Sequence, residues 1–155
     1  MVKIEEMQNR ILIVDDEEEI CSVLARRLSK EGYICVTATN GKEALNHLYK
    51  ESFSLIITDI KMPEMDGMEF LKDVRAVNPD IRVIMITAFP EVDRVVEAIR
   101  LVACDFILKP VDLDRVVLSV KKALEKKRLE KVEADHKNQE NRQLPGVGQD
   151  TGRSD

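Results

Sequence analysis

The stretch Leu55-Ile56-Ile57-Thr58-Asp59-Ile60-Lys61-Met62-Pro63-Glu64-Met65-Asp66-Gly67 decides how the chain is read. Its apolar opening fits a strand buried in a sheet. The run stops on a carboxylate, and Pro63 and Gly67 then mark a loop. In an open α/β sheet such a strand delivers its last residue, Asp59, to the carboxyl edge, where ligands bind. A lone acid in that place is ordinarily a loop carboxylate or a helix N-cap. The sequence on either side shows that Asp59 is not alone.

Upstream, Ile11-Leu12-Ile13-Val14 is a second short apolar run, fit for a strand buried on both faces, and it stops on Asp15-Asp16. Ile20, Val23, Leu24 and Leu28 follow at helical spacing, with Gly32 as the stop. Ile34 to Ala38 reads as a strand, Asn40-Gly41 as a turn, and Ala44, Leu45, Leu48 and Tyr49 as one face of a helix. Downstream, Phe70, Leu71 and Val74 mark a third helix that closes near Asn78-Pro79. Val83 to Ile86 is a fourth strand ending on Thr87-Ala88, and Val92, Val95, Val96 and Ile99 mark a fourth helix. Phe106-Ile107-Leu108 is a fifth strand ending on Lys109-Pro110, and Asp112 caps a last helix carrying Leu113, Val116, Val117, Val120 and Leu124. Strict alternation with short connections implies right-handed crossovers. The expected fold is therefore α/β: a doubly wound, five-stranded parallel sheet, flavodoxin-like in its order 2-1-3-4-5, with helices on both faces.

Composition agrees with one folded domain. The chain has 155 residues, 44% hydrophobic and 34% charged, enough for a real core. It has no Trp, so that core is expected to be aliphatic. A net charge of -5 argues against nucleic-acid binding by this chain, and no apolar run is long enough to span a membrane. The first residues lack the apolar centre of a signal peptide. Cys21, Cys35 and Cys104 have no metal-type spacing, which suits free, buried thiols in a reducing cytoplasm; a redox role is the alternative. The expected organisation is a lead-in over 1–8, the folded domain over 9–125, and a helical extension with a polar, disordered tail or linker over 126–155.

The strand ends carry the chemistry. In a parallel sheet Asp15, Asp16, Asp59, Thr87 and Lys109 fall along one edge, in one shallow crevice. Each pair of carboxylates about 4 Å apart repels by roughly 4 kcal/mol at an effective dielectric near 20. A hard divalent cation with oxygen ligands, Mg²⁺ above all, relieves that repulsion, and Lys109 adds a positive charge. The crevice then suits a phosphoryl group, with Asp59 as nucleophile and Thr87 as a donor to a phosphoryl oxygen.

These residues resemble the receiver domain of bacterial two-component response regulators. The resemblance is carried by Ile11-Leu12-Ile13-Val14-Asp15-Asp16-Glu17, Asp59-Ile60-Lys61-Met62-Pro63-Glu64-Met65-Asp66-Gly67, Thr87-Ala88 and Asp105-Phe106-Ile107-Leu108-Lys109-Pro110, and spans about residues 9 to 125. It implies that Asp59 accepts a phosphoryl group from the phosphohistidine of a sensor kinase. It implies Mg²⁺, with Mn²⁺ as substitute, held by Asp16, Asp59 and the Lys61 backbone carbonyl, and by Asp15 through water. Thr87 and Phe106 match the switch pair, which alters the partner preference of the face formed by the fourth helix, fifth strand and last helix. An effector domain or protein downstream, and a homodimer through that face, are the implied partners. The chain departs from the family at Val102, where many relatives carry Gly. Phe89-Pro90 after Thr87-Ala88 suggests a shield over the acyl phosphate and hence a long-lived phosphorylated form. Two other readings stay open: a binding module that works without phosphorylation, and a Mg²⁺-dependent phosphatase. The second is disfavoured because Lys61 stands where such enzymes carry a second acid.

Overall fold

The computed structural model describes residues 10–60, 62, 66–88 and 103–125. Strands are β1 (Arg10–Val14), β2 (Ile34–Ala38), β3 (Leu55–Asp59), β4 (Arg82–Thr87) and β5 (Asp105–Leu108); helices are α1 (Glu18–Lys30), α2 (Gly41–Lys50) and α3 (Gly67–Val77), and 113–125 form the last helix. All four strand pairings are parallel, as the alternating pattern implies, and the order is the expected β2-β1-β3-β4-β5. The fourth helix expected over Val92 to Ile99, the departure at Val102 and the shield at Phe89-Pro90 lie outside the described residues, as do 1–9 and 126–155.

Burial on both faces accounts for the continuous apolar runs. Every residue of β3 is buried, and successive side chains go to opposite sides. Leu12, Val14, Ile56, Val83 and Met85 pack in a cluster with Ala44 and Leu48 of α2 and with Phe70, Leu71 and Val74 of α3. Ile11, Ile13, Leu55, Ile57, Ile84 and Ile86 pack in a second cluster with Cys21, Leu24 and Leu28 of α1 and with Val116 and Val120 of the last helix. Burying each such aliphatic side chain stabilises the fold by about 1.5–3 kcal/mol before entropy is counted.

The helix ends follow local chemistry. Gly32 takes φ +99°, and Gly32 N–H and Tyr33 N–H donate to Ser29 and Leu28 carbonyls, closing α1 in a Schellman motif. Asn40 is the N-cap of α2, its side chain accepting from Glu43 N–H at 2.8 Å, so the Asn40-Gly41 pair starts a helix and does not form a free turn. Asp66 caps α3 and Asp112 caps the last helix through the same kind of bond.

Three sequence expectations are corrected. Val23 and Tyr49 are 38% and 69% exposed. The buried arc of α1 runs through Cys21, Leu24 and Leu28, which leaves Val23 on its flank; that of α2 runs through Ala44 and Leu48, and Tyr49 lies a further 100° around the helix. Cys104 is exposed beside the start of β5, whereas Cys21 is buried and Cys35 half-buried, so burial of all three thiols does not hold.

Gly67 has a closer constraint than loop formation. It opens α3, and a β-carbon there would stand 2.4 Å from the Asp59 carbonyl oxygen and 2.6 Å from that of Ile60. Both are backbone atoms that cannot swing aside. The missing side chain is what lets α3 start directly against the end of β3. Gly67→Ala is predicted to destabilise the chain by about 1–3 kcal/mol in urea unfolding, the usual range for overpacking. An unchanged midpoint would show that the loop between Asp59 and Gly67 yields freely.

Candidate functional site

β1, β3, β4 and β5 deliver the site residues to one edge. Val14 pairs with Thr58, Asp59 with Ile86, and Thr87 with Leu108, so the residues at or just beyond those ends share one level of the sheet. Asp15 follows β1 and is fully buried; its N–H still donates to the Ala38 carbonyl of β2 at 3.1 Å. Its Oδ1 accepts from Glu17 N–H at 2.9 Å, which turns the chain away from the sheet and into α1. Asp16 and Glu17 are thereby exposed at the rim. Asp59 is buried at the end of β3, and Thr87 is 2% exposed at the end of β4. Lys109 N–H donates to the Thr87 carbonyl at 2.8 Å, fixing where the lysine leaves β5.

The Lys109 side chain spans the edge. Its Nζ donates to Asp59 Oδ2 at 2.8 Å and to Glu17 Oε2 at 2.8 Å. Asp15 Oδ2 meets the same ammonium at 3.0 Å, outside hydrogen-bond geometry, and has no hydrogen bond among the described residues. Burial pulls the Lys109 ammonium toward neutrality, but its hydrogen bonds to Asp59 and Glu17 and the adjacent Asp15 carboxylate outweigh it and hold its pKa above the ordinary range. Burial raises the Asp15 pKa; the Glu17 N–H bond and Lys109 oppose that shift only in part. Beneath the site, Cys21 Sγ donates to the Asp15 carbonyl at 3.3 Å, and burial pushes this thiol up to about 11, so it stays protonated and structural.

The structure thus brings Asp15, Asp16, Asp59, Thr87 and Lys109 to one edge. Phe106 lies on β5, half-buried against the cluster of α2 and α3, with its N–H donating to Asp105 Oδ1 at 2.8 Å. Lys61, expected to offer its carbonyl, lies outside the described residues. Glu17 is a third ion partner of Lys109 that the reading of strand ends missed, because it sits past the strand at the head of α1; its place directly after the acid pair was the available signal.

Carboxylate oxygens of Asp15, Asp16 and Glu17 all lie within 4.8 Å of one another. An all-oxygen cluster with a buried, incompletely satisfied Oδ2 suits a hard divalent cation. Beside it runs a groove of about 550 Å³ between α1 and the segment after β5, lined by Ile20, Val23, Lys109, Pro110, Val111 and Leu113 among others. The groove accounts for the exposed Val23. Among the described residues, no helix is long and apolar enough to cross a membrane.

Comparison with known proteins gives the same picture. The family profile of the response regulator receiver domain matches residues 11–121. Transcriptional regulatory protein ZraR of Klebsiella oxytoca is 41% identical over 119 residues, 77% of this chain and 27% of that protein. Sporulation initiation phosphotransferase F of Bacillus subtilis is 42% identical over 118 residues, 76% of this chain and 95% of that protein. A CheY-like receiver domain of Methanospirillum hungatei superposes with a TM-score of 0.77 at 32% identity, over 79% of this chain and 98% of that one. The chain spans about a quarter of the length of the ZraR regulators it matches.

The Asp15 carboxyl yields a prediction with a definite sign. A raised carboxyl pKa contributes stability while the group is protonated, and that contribution is lost as pH rises through the raised value. Ionised Asp15 is therefore a liability at neutral pH when no divalent cation is bound. Asp15→Asn, which keeps an acceptor for Glu17 N–H, is predicted to raise the thermal midpoint by a few degrees at about pH 7 in chelator. The gain should shrink as pH falls and the carboxyl takes up its proton. A lower midpoint for the variant at neutral pH would contradict the account.

Proposed function

The chain belongs to the response regulator receiver domain family, and from that premise we propose that Asp59 is its phosphoacceptor, served by Lys109 and Thr87. As a member of the family it is a phosphorylation-operated receiver, a phosphoacceptor module and not a turnover enzyme. The observation that carries the assignment is the Lys109 ammonium, 2.8 Å from Asp59 Oδ2 and 3.0 Å from Asp15 Oδ2 at the carboxyl edge of the sheet.

The donor is the phosphohistidine of a sensor histidine kinase. An Asp59 carboxylate oxygen forms a bond to phosphorus, the phosphorus–nitrogen bond breaks, and the imidazole keeps the electron pair. Lys109 neutralises charge on the phosphoryl oxygens, and the Thr87 hydroxyl donates to one of them. Mg²⁺, or Mn²⁺ in its place, would be held by Asp16, Asp59 and the Lys61 carbonyl, with Asp15 contributing through water. When bound, the ion offsets the phosphoryl charge as a Lewis acid. The all-oxygen cluster supports that choice of metal. The apolar groove along α1 opens beside Lys109, which supports a reading in which a helix of the kinase docks there.

Phosphorylation shifts the populations of Thr87 and Phe106 conformers and so changes the partner preference of the face formed by the fourth helix, β5 and the last helix. An effector domain or protein reads that face, which also serves as a homodimer interface. Residues 9–125 form the receiver, 1–8 a lead-in, and 126–155 a helical extension and tail or linker. A cytoplasmic location fits this role.

Incubation with a small phosphodonor and Mg²⁺ is predicted to add one phosphoryl group per chain, read by intact mass, and Asp59→Asn to abolish the addition. Label persisting in Asp59→Asn would move the acceptor elsewhere. A phosphorylation-independent binding module would take up none. Mg²⁺ alone should raise the thermal midpoint of the wild type and do so much less in Asp16→Asn.

A further inference from the structure

We propose that Glu17 is a releasable counter-ion of Lys109: a positioning residue that holds the ammonium in the resting chain and lets go of it when Asp59 takes up a phosphoryl group. This rests on Asp59 being the acceptor.

Glu17 stands at the N-cap of α1, yet its side chain makes no capping bond to the helix. Its carboxylate turns to Lys109 instead, at the same 2.8 Å that separates the ammonium from Asp59. An ammonium has three donors. One serves Asp59, one serves Glu17, and Asp15 crowds the remaining side at 3.0 Å. A phosphoryl group brings three strong acceptor oxygens and about -1.5 to -2 of charge. It meets a lysine already surrounded, so a carboxylate must give way.

Exposure decides which one. The side chains of Asp15 and Asp59 are 0% and 8% exposed, against 58% for Glu17. Releasing Asp15 would strand a buried charge, whereas Glu17 on release is hydrated at once. Asp59 cannot leave, because it carries the new group. Glu17 is the solvated member of its pair with Lys109, so solvent competes for its carboxylate and a phosphoryl group displaces it readily. Until then Glu17 occupies a donor that the incoming group needs, and removing its charge should speed phosphorylation.

The test uses acetyl phosphate with Mg²⁺ on the whole chain. Asp59 oxygen bonds to phosphorus, the bond from phosphorus to the acetate oxygen breaks, acetate leaves with the electron pair, and no proton is exchanged. Initial rates are compared for wild type, Glu17→Gln and Glu17→Ala, at low salt and at about 0.5 M salt, where long-range steering is screened. Loss of the phosphoryl group is followed after donor removal. Both variants are expected to be phosphorylated about two- to fivefold faster at either salt, the ratio that a pair with one solvated member implies. Because Glu17 also borders the acidic cluster, both rates are read at Mg²⁺ concentrations saturating for each variant. The rate of loss should then stay at the wild-type value, because Glu17 is already off Lys109 in the phosphorylated form. A gain that vanishes at high salt reduces Glu17 to a charge at the mouth of the site and overturns the proposal. Equal or slower phosphorylation overturns it as well. If the wild type takes up no label on Asp59, the acceptor assignment fails and takes this inference with it; if it does, only the behaviour of the variants is at stake.

Discussion

The ammonium of Lys109 is the contact on which the carboxyl edge of the sheet depends. It lies within 3.0 Å of oxygens from Asp15, Glu17 and Asp59, which arrive from the ends of two different strands and the head of a helix. Without a cation these carboxylates would share a partly buried crevice, and each close pair would repel by roughly 4 kcal/mol at an effective dielectric near 20. One lysine balances only part of that charge. Asp15 keeps a raised pKa despite its contact with Lys109, and its Oδ2 has no hydrogen bond among the described residues. The residual imbalance is what gives a divalent cation, and then a phosphoryl group, a reason to bind.

The crowding is a consequence of how a parallel sheet must be built. Strands covered on both faces tolerate only apolar side chains along their length, so Ile11 to Val14, Leu55 to Ile57 and Val83 to Ile86 are fully buried. Polar chemistry is driven to the strand ends. Because every strand runs the same way, all the carboxyl ends come out together, and the register that pairs Val14 with Thr58 and Asp59 with Ile86 brings them level. Gly67 belongs to the same logic. It lets α3 begin within contact of the Asp59 carbonyl, so that helix starts directly against the end of β3.

Legibility in the sequence follows from which forces are local. The strands were readable because a four-residue apolar run that stops on acids is too short for a core helix and fits a strand covered on both faces; parallel pairing followed from alternation, and the order from the flavodoxin-like arrangement. The placement of Asp15, Asp16, Asp59, Thr87 and Lys109 was readable because each ends a strand. Glu17 was not, because its partner lies 92 residues away and it ends no strand. The exposure of Val23 was not, because helical spacing identifies a face without saying how wide its covered arc is, and here one flank borders a groove. The role of Gly67 also escaped a reading by turn chemistry. Its constraint is a clash with the backbone of another element, which is visible only once α3 and β3 are set side by side.

The far end of β5 limits how a change at Lys109 can travel. Asp105, the first residue of the strand, accepts from Arg115 through both carboxylate oxygens at 3.1 Å and from Ser119 Oγ at 2.7 Å, which fastens β5 to the last helix. At the other end, Lys109 N–H is bonded to the Thr87 carbonyl of β4. The strand is pinned at both ends, and a slip of one residue would also exchange Phe106 and Ile107 between the two core clusters. Sliding of β5 is therefore excluded as a response to a new group on Asp59. What remains between the two pins is side-chain rotation, and Phe106 is the large half-buried side chain available for it, whereas Ile107 is locked in the core. Among the described residues, β5 is held by its backbone and its end contacts, which leaves exchange of side-chain partners as its means of responding.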